Sequence, residues 1–145
     1  MDVATILKQK GSGVFTTTAN TSLLDIAKLL AQHGVGCIVI VGDHDQIAGI
    51  MTERDLMRAI VQAGPHVLHE PVLNYMTTTV VTAQKADTSE RLMSEMTTHR
   101  FRHMPVVEKG RPIGIVSIGD LVKMQIAGIE MEASATREYA GCVAI

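Results

Sequence analysis

Gly49-Ile50-Met51-Thr52-Glu53-Arg54-Asp55-Leu56 and Gly114-Ile115-Val116-Ser117-Ile118-Gly119-Asp120-Leu121 carry one pattern twice. Each has a glycine, an apolar strand end, a hydroxyl residue and, three positions after that, an aspartate. One copy alone reads as the start of a helix, because an Asp just ahead of an apolar-periodic run is a good cap. Two copies point further. A carboxylate accepts hydrogen bonds from both hydroxyls of a ribose, while the Thr or Ser and nearby backbone N–H groups face a phosphate.

Working outward, Asp120 follows Asp55 by 65 residues (120 − 55), an internal period. Upstream the offset becomes 66 (80 − 14): Val14-Phe15-Thr16 lies over Val80-Val81-Thr82, and Thr21-Ser22-Leu23 over Asp87-Thr88-Ser89. Val35-Gly36-Cys37-Ile38-Val39-Ile40-Val41 lies over Phe101-Arg102-His103-Met104-Pro105-Val106-Val107. The one-residue slip falls in two polar, turn-forming segments, where a change of length costs little.

Leu23, Ile26, Ala27 and Leu30 follow the spacing of an amphipathic helix, with Ser22 and Asp25 placed as in a capping box. The matching helix is expected over 88–98, with Asp87 as its cap and Glu90 in its first turn. Apolar runs at Cys37–Val41 and Met104–Val107, followed by Ile47–Ile50 and Ile113–Val116, read as hairpins. Another helix follows each aspartate, bearing Leu56, Met57, Ile60 and Val61 in one copy and Leu121, Val122 and Met124 in the other. The unit is β-α-β-β-α.

This arrangement resembles the cystathionine-β-synthase (CBS) domain, and the chain resembles a stand-alone bacterial tandem pair of such domains over about residues 14–127. The resemblance implies an α+β fold in which two β-α-β-β-α repeats pack sheet to sheet about a pseudo-twofold axis. It divides the chain into an N-terminal helical extension (1–13), a first repeat (14–65), a linker (66–79), a second repeat (80–127) and a C-terminal helix and tail (128–145), frayed after Tyr139.

The resemblance also implies two crossed nucleotide sites, each joining the turn of one copy to strand entrances of the other. The first would combine Thr52, Arg54 and Asp55 with Val80, Val81, Thr82, Phe101, Arg102, His103, Met104 and Pro105. The second would combine Ser117, Ile118, Gly119 and Asp120 with Val14, Phe15, Thr16, Gly36, Cys37 and Ile38. Asp55 would hold ribose, Val81 and Met104 would sandwich the base, and Arg54, Arg102 and His103 would neutralise phosphate. In the second site Gly36 and Cys37 replace the basic pair, so it should be the weaker, unless Lys8 or Lys10 reaches across. The expected ligand is an adenosine-containing nucleotide (AMP, ATP or NAD(H)), the role regulatory, the state a homodimer formed through the helices after the two turns, and the effector a separate protein. A degenerate pair that only dimerises is the alternative.

Composition narrows the field. The net charge of −2 over 145 residues gives no general affinity for nucleic acid or anionic membrane. Phe15, Phe101, Tyr75 and Tyr139 are too scattered to stack a nucleic-acid strand. Apolar runs stay short of the roughly 18 residues a membrane helix needs, and the Met1-Asp2-Val3 start lacks a secretory signal's basic charge. Two cysteines, Cys37 and Cys142, argue for reduced thiols and a cytoplasmic setting. Cys142-Val143-Ala144-Ile145 has the C-a-a-X form of a lipidation signal, but acidic residues precede it and no lipid is expected. His66 with His69, and His99 with His103, lack the acids or cysteines of a metal set. Phosphate-loop, dinucleotide and nucleophile-elbow motifs are missing, so neither a catalytic residue nor a metal is expected.

Overall fold

Asp2 caps the first helix, its carboxylate accepting from the Thr5 amide at 3.0 Å, and α1 runs Val3–Lys10. The computed structural model describes residues 1–11 and 13–144, with side chains as far as Ala135. Strand β1 (Thr16–Thr17) leads to α2 (Leu23–His33), which Ser22 caps as its spacing predicts, the hydroxyl accepting from the Asp25 amide at 3.2 Å. The first repeat continues with β2 (Cys37–Val41), β3 (Ile47–Thr52) and α3 (Glu53–Ala63). The second has α4 (Ser89–His99), β4 (His103–Glu108), β5 (Arg111–Ser117) and α5 (Ile118–Ala144). Among the described residues no helix is long and apolar enough to cross a membrane.

Three local expectations need correction. Helix α4 is capped by Thr88, whose hydroxyl accepts from the Arg91 amide at 3.2 Å; Asp87, one residue earlier, bonds the Gln84 amide and the Arg91 side chain instead. The first strand of the second repeat shrinks to one bridge, Ala83 beside Val106, where β1 pairs two residues with β2. The cause is Thr77, which exchanges backbone hydrogen bonds with Ile50 of the other repeat at 2.9 and 3.0 Å. Residues 77–82 therefore cross from one sheet to the other rather than running along β4. Helix α5 also continues past Tyr139 to Ala144, so the expected fraying is not seen there. The Cys142–Ile145 quartet reaches outside the described residues.

Each repeat builds its core with help from outside its own period. Leu23, Ile26, Ile38, Ile40 and Met51 are fully buried in the first, together with Val67 and Val72. Those two valines lie in residues 66–79, expected as a linker, which fold as 3-10 turns over Pro65–His69 and Val72–Asn74. Leu92, Met104, Val106 and Leu121 are buried in the second, together with Val3 and Ile6 of α1. Burying an aliphatic side chain of this size contributes about 1.5–3 kcal/mol, so α1 is integral to the second repeat.

The two added segments are equivalent. The Val3 amide donates to Asp87 O at 2.9 Å and the Val72 amide to Thr21 O at 2.7 Å, an offset of 69 (72 − 3) in the segments against 66 (87 − 21) in the repeats. This pairing explains the glycine that begins each repeated turn. A Cβ on Gly49 would sit 2.8 Å from both Met76 Sδ and Thr77 O, and one on Gly114 would sit 2.7 Å from Leu7 Cδ2. Leu7 and Met76 are again 69 apart (76 − 7), and each lies over the glycine of the repeat it packs on.

The sheets β1-β2-β3 and β4-β5 face one another. Cys37, Val39 and Ile50 fill the seam between them, with Val14, Val80 and Ile115 packed alongside. At one end the hairpin tips are stitched together: Ile47 N donates to Gly110 O at 3.2 Å and Arg111 Nε to His44 O at 3.0 Å. The architecture is the α+β pair of repeats about a pseudo-twofold axis that the resemblance implies.

Candidate functional site

Both repeated turns close reciprocal capping boxes. The Asp55 amide donates to the Thr52 hydroxyl at 3.2 Å while Asp55 Oδ2 accepts from the Thr52 amide at 3.1 Å. Ser117 and Asp120 do the same at 3.2 and 2.8 Å. The capping role is thus real in both copies, and it engages one carboxylate oxygen of each acid.

Beside the first turn the seam opens into a cavity of about 530 Å³. The first repeat lines it with Gly36, Ile50, Thr52, Glu53, Arg54, Asp55 and Arg58, and the crossing segment with Thr77, Thr79, Val80 and Val81. The second contributes His99, Arg100, Phe101, Arg102 and His103. The turn of one repeat therefore meets the strand entrance of the other, bringing together Thr52, Arg54, Asp55, Val80, Val81, Phe101, Arg102 and His103 as expected for the first site.

Thr82, Met104 and Pro105 do not line that cavity. Strand β4 alternates, and Met104 is fully buried against the helices of its own repeat, on the opposite side from His103. The apolar walls available to a base are Ile50, Val80, Val81 and Phe101. Sequence reasoning overlooked Arg58 and Arg100. Arg58 stands one turn beyond Asp55 on α3, with NH1 3.8 Å from Asp55 Oδ1, a spacing that could have flagged it. Arg100 holds the left-handed C-cap of α4 at φ 58°, where its 66-offset counterpart Gly34 has φ 61°. A side chain there costs about 1–2 kcal/mol, so an arginine opposite a glycine in the repeat alignment was a readable signal.

The residues assigned to the second site are dispersed. Cys37 and Val14 lie in the seam, and Ile38 is fully buried in the first repeat's core. Thr16 is in β1, and Phe15 stacks on His33 with centroids 3.8 Å apart. Gly36 turns to the first cavity, where a Cβ on it would lie 2.7 Å from Glu53 Oε1 and 3.0 Å from His103 Nε2. Ser117, Ile118, Gly119 and Asp120 keep their turn, but Asp120 is already engaged: Lys10 Nζ lies 2.6 Å from its Oδ2 and 2.6 Å from Ile115 O.

The charges follow from these placements. Burial pushes the His103 imidazole below its ordinary 6.5; Glu53 opposes this, and Lys10 and Arg102 reinforce it. His103 is therefore a neutral hydrogen-bonding group at pH 7 rather than the phosphate-neutralising cation expected, and Arg54, Arg58, Arg100 and Arg102 supply the positive charge. Burial also pushes the Cys37 thiol up to about 12, with the Asp55 charge adding to it. For Asp120, burial acts upward, but the Lys10 ammonium and the Ser117 amide and hydroxyl outweigh it and hold the carboxyl below its ordinary value.

A duplicated β-α-β-β-α unit, paired through its sheets around a seam cavity, defines a tandem-repeat module. The family model for the CBS domain matches residues 11–62 and 72–126, and the chain belongs to that family. It is 36% identical over 130 residues to the CBS domain-containing protein CBSX3, mitochondrial, of Arabidopsis thaliana, covering 83% of this chain but only 63% of the relative's length. Among solved structures, the CBS-domain-containing protein ATU1752 from Agrobacterium tumefaciens superposes with a TM-score of 0.83 at 40% identity, over 86% of this chain and 99% of that one. The CBS domain pair of protein MJ0100, solved in complex with 5′-methylthioadenosine and S-adenosyl-L-methionine, superposes at 0.79 with 26% identity, over 88% and 98% of the two chains.

Proposed function

We propose that the chain is a regulatory module that binds an adenosine-containing nucleotide in the cavity beside Asp55 and passes its occupancy to a separate effector protein. The observation that carries this reading is the composition of the cavity. One carboxylate whose Oδ1 is outside the capping box shares an apolar-lined cavity with four arginines, Arg54 and Arg58 on its own helix and Arg100 and Arg102 from the other repeat, which suits a ribose, a phosphate and a base in turn. The ligands bound to the MJ0100 pair share adenosine with AMP, ATP and NAD(H), which supports the class while leaving phosphate count to the arginines. Regulation then requires that the nucleotide bind one arrangement of the pair better than another.

The arrangement also supports a homodimer. Met57 and Val61 on α3 are 63% and 79% exposed beside an apolar groove of about 700 Å³ between α2 and α3. The equivalent helix α5 shows Val122 and Ile126 at 44% and 50%. Patches of this kind mark protein interfaces more often than bare surface, and a second copy presents the same two helices.

The test is a thermal-shift and native-mass series with AMP, ATP and NADH on the wild type and on the Asp55→Ala, Asp120→Ala double variant. Binding to the wild type that disappears in the double variant supports the reading. A nucleotide-induced shift that persists in the double variant sinks the ribose assignment. A dimer that binds none of the three leaves the purely structural module, which the two capping boxes by themselves would satisfy.

A further inference from the structure

Helix α5 outruns the repeat it closes. Its packing partners are α1, α4 and β5, yet from Gln125 to Ala135 none of its side chains is buried. Gly128 inside it costs about 1 kcal/mol relative to alanine, and an unpacked helix is marginal in water, so the extension calls for a cover. Its apolar residues are ordered. Val122, Ile126, Ile129 and Ala133 recur at spacings of 4, 3 and 4 residues (126 − 122, 129 − 126, 133 − 129), which sets them in one stripe along the helix. Glu130 and Glu132 flank that stripe on its two sides.

A receptor of matching character lies on the other repeat. The groove of about 700 Å³ between α2 and α3 is lined by Leu30, Leu56 and Ile60, and the small residues Ala27, Ala31 and Gly34 leave it open. Met93, Thr97 and Arg100 stand at the equivalent positions of the second repeat, so the opening is particular to the first. Exposed cations run beside both walls. Lys28 follows Ala27 and Arg58 follows Met57, and each holds its present acid loosely, at 3.9 and 3.8 Å. From Met124 to Ala135 the extension carries acids and no base, so an acid-edged apolar helix meets a cation-edged apolar groove.

We propose that the α5 extension of one copy seats in the α2/α3 groove of a second copy, and the second's extension in the first's groove. The inference rests on the homodimer reading above and names the surfaces that meet. No residue of α5 lines the groove of its own chain, and α5 is anchored on the second repeat while the groove belongs to the first. One stripe and one groove per chain, exchanged about a twofold axis, close a dimer and leave neither bare. A one-way contact would instead propagate into a filament.

Sedimentation velocity on the full chain tests the exchange with two variants at exposed positions, Ile129→Glu in the stripe and Ala31→Trp in the groove. The wild type should be a dimer. Each variant alone should dimerise about thirtyfold more weakly or worse, the loss at an interface hot spot. A far-ultraviolet spectrum matching the wild type shows that folding is kept, and Ile126→Glu stands in for Ile129→Glu should that spectrum change. Mixing the two variants, at concentrations where neither dimerises, should restore a dimer, because the chain with the altered stripe still offers its groove to the unaltered stripe of the other. Dimers retained by Ala31→Trp would put stripe on stripe, and dimers retained by Ile129→Glu would put groove on groove. Either result overturns the exchange, as does a mixture that stays monomeric. A monomeric wild type is a separate result, which removes the homodimer reading and the exchange with it.

Discussion

Arg100→Gly should make the protein more stable and a poorer nucleotide binder at once. Arg100 sits at φ 58°, ψ 40° as the C-cap of α4, and its counterpart Gly34 sits at φ 61°, ψ 36°. Left-handed backbone costs an L-residue about 1–2 kcal/mol, while a glycine loses about 0.4–1 kcal/mol more through unfolded-chain entropy. The difference favours glycine by about 0.5–1 kcal/mol, which for a chain of this length raises the melting temperature by about 1–4 °C. The same change removes one guanidinium from the cavity wall. A hydrogen bond to a charged group is worth about 1.5–3 kcal/mol when buried; on this exposed residue about 1 kcal/mol is reasonable, a fivefold loss of AMP affinity. Circular-dichroism melts and AMP titrations on the same preparation check both. A lower melting temperature would mean that Arg100 is held by stabilising contacts rather than strained. Unchanged AMP affinity at a raised melting temperature would mean that Arg100 is solvated and plays no part in the cavity.

Gly49→Ala should destabilise more than Gly114→Ala, by about 2–3 against about 1 kcal/mol in urea unfolding, because the first Cβ meets a backbone carbonyl at 2.8 Å and the second only the movable end of Leu7; equal costs would refute the close-approach account of both glycines. Cys37, buried and raised to about 12, should resist iodoacetamide at pH 8 in a Cys142→Ser background until denaturant is added, and rapid labelling of the native protein would contradict its place in the seam. Asp120 is held below its ordinary 3.8 in the folded state, so its contribution is fully present above that value and is lost as pH falls through the lowered one. Stability measured from pH 6 down to pH 2 should therefore fall less steeply in Asp120→Asn than in the wild type, and parallel profiles would count against the Lys10 pair.

The repeat, both hairpins and the four helices of the two units were legible because each rests on local chemistry: a period of apolar positions, a turn rich in polar residues, a hydroxyl or acid at a cap. Other features were hidden for equally physical reasons. The core segments around Val3 and Val72 share an offset of 69, not 66, and the second of them is too short to show a helical period. Their membership in a core depends on which surface they reach, and nothing in their own residues states that. Met104-Pro105-Val106-Val107 is an unbroken apolar run, so it carries no alternation to say which side chain faces the cavity, and the burial of Met104 in its own repeat's core is invisible in it. Asp87 and Thr88 are both good caps, and only the path of the preceding turn decides between them.

Duplication is a weaker sign of ligand binding than the differences between the copies. Both acids cap helices, and that duty alone would preserve the hydroxyl and the aspartate in each repeat. Buried positions match across the offset: Ile26 with Leu92, Ile38 with Met104, Ile40 with Val106 and Met51 with Val116 are apolar in both. The positions that break the match lie at the seam cavity, where Gly34 becomes Arg100, Gly36 becomes Arg102 and Cys37 becomes His103. Packing demands none of these changes, and the first of them sets a side chain in left-handed backbone that glycine would occupy without strain. Positive charge is gathered on one side of an otherwise symmetric seam, around Asp55. On the other side a single lysine arrives from a different part of the chain. An anion held asymmetrically between two nearly equal halves is what such an arrangement suits, and the fold by itself supplies no reason for it.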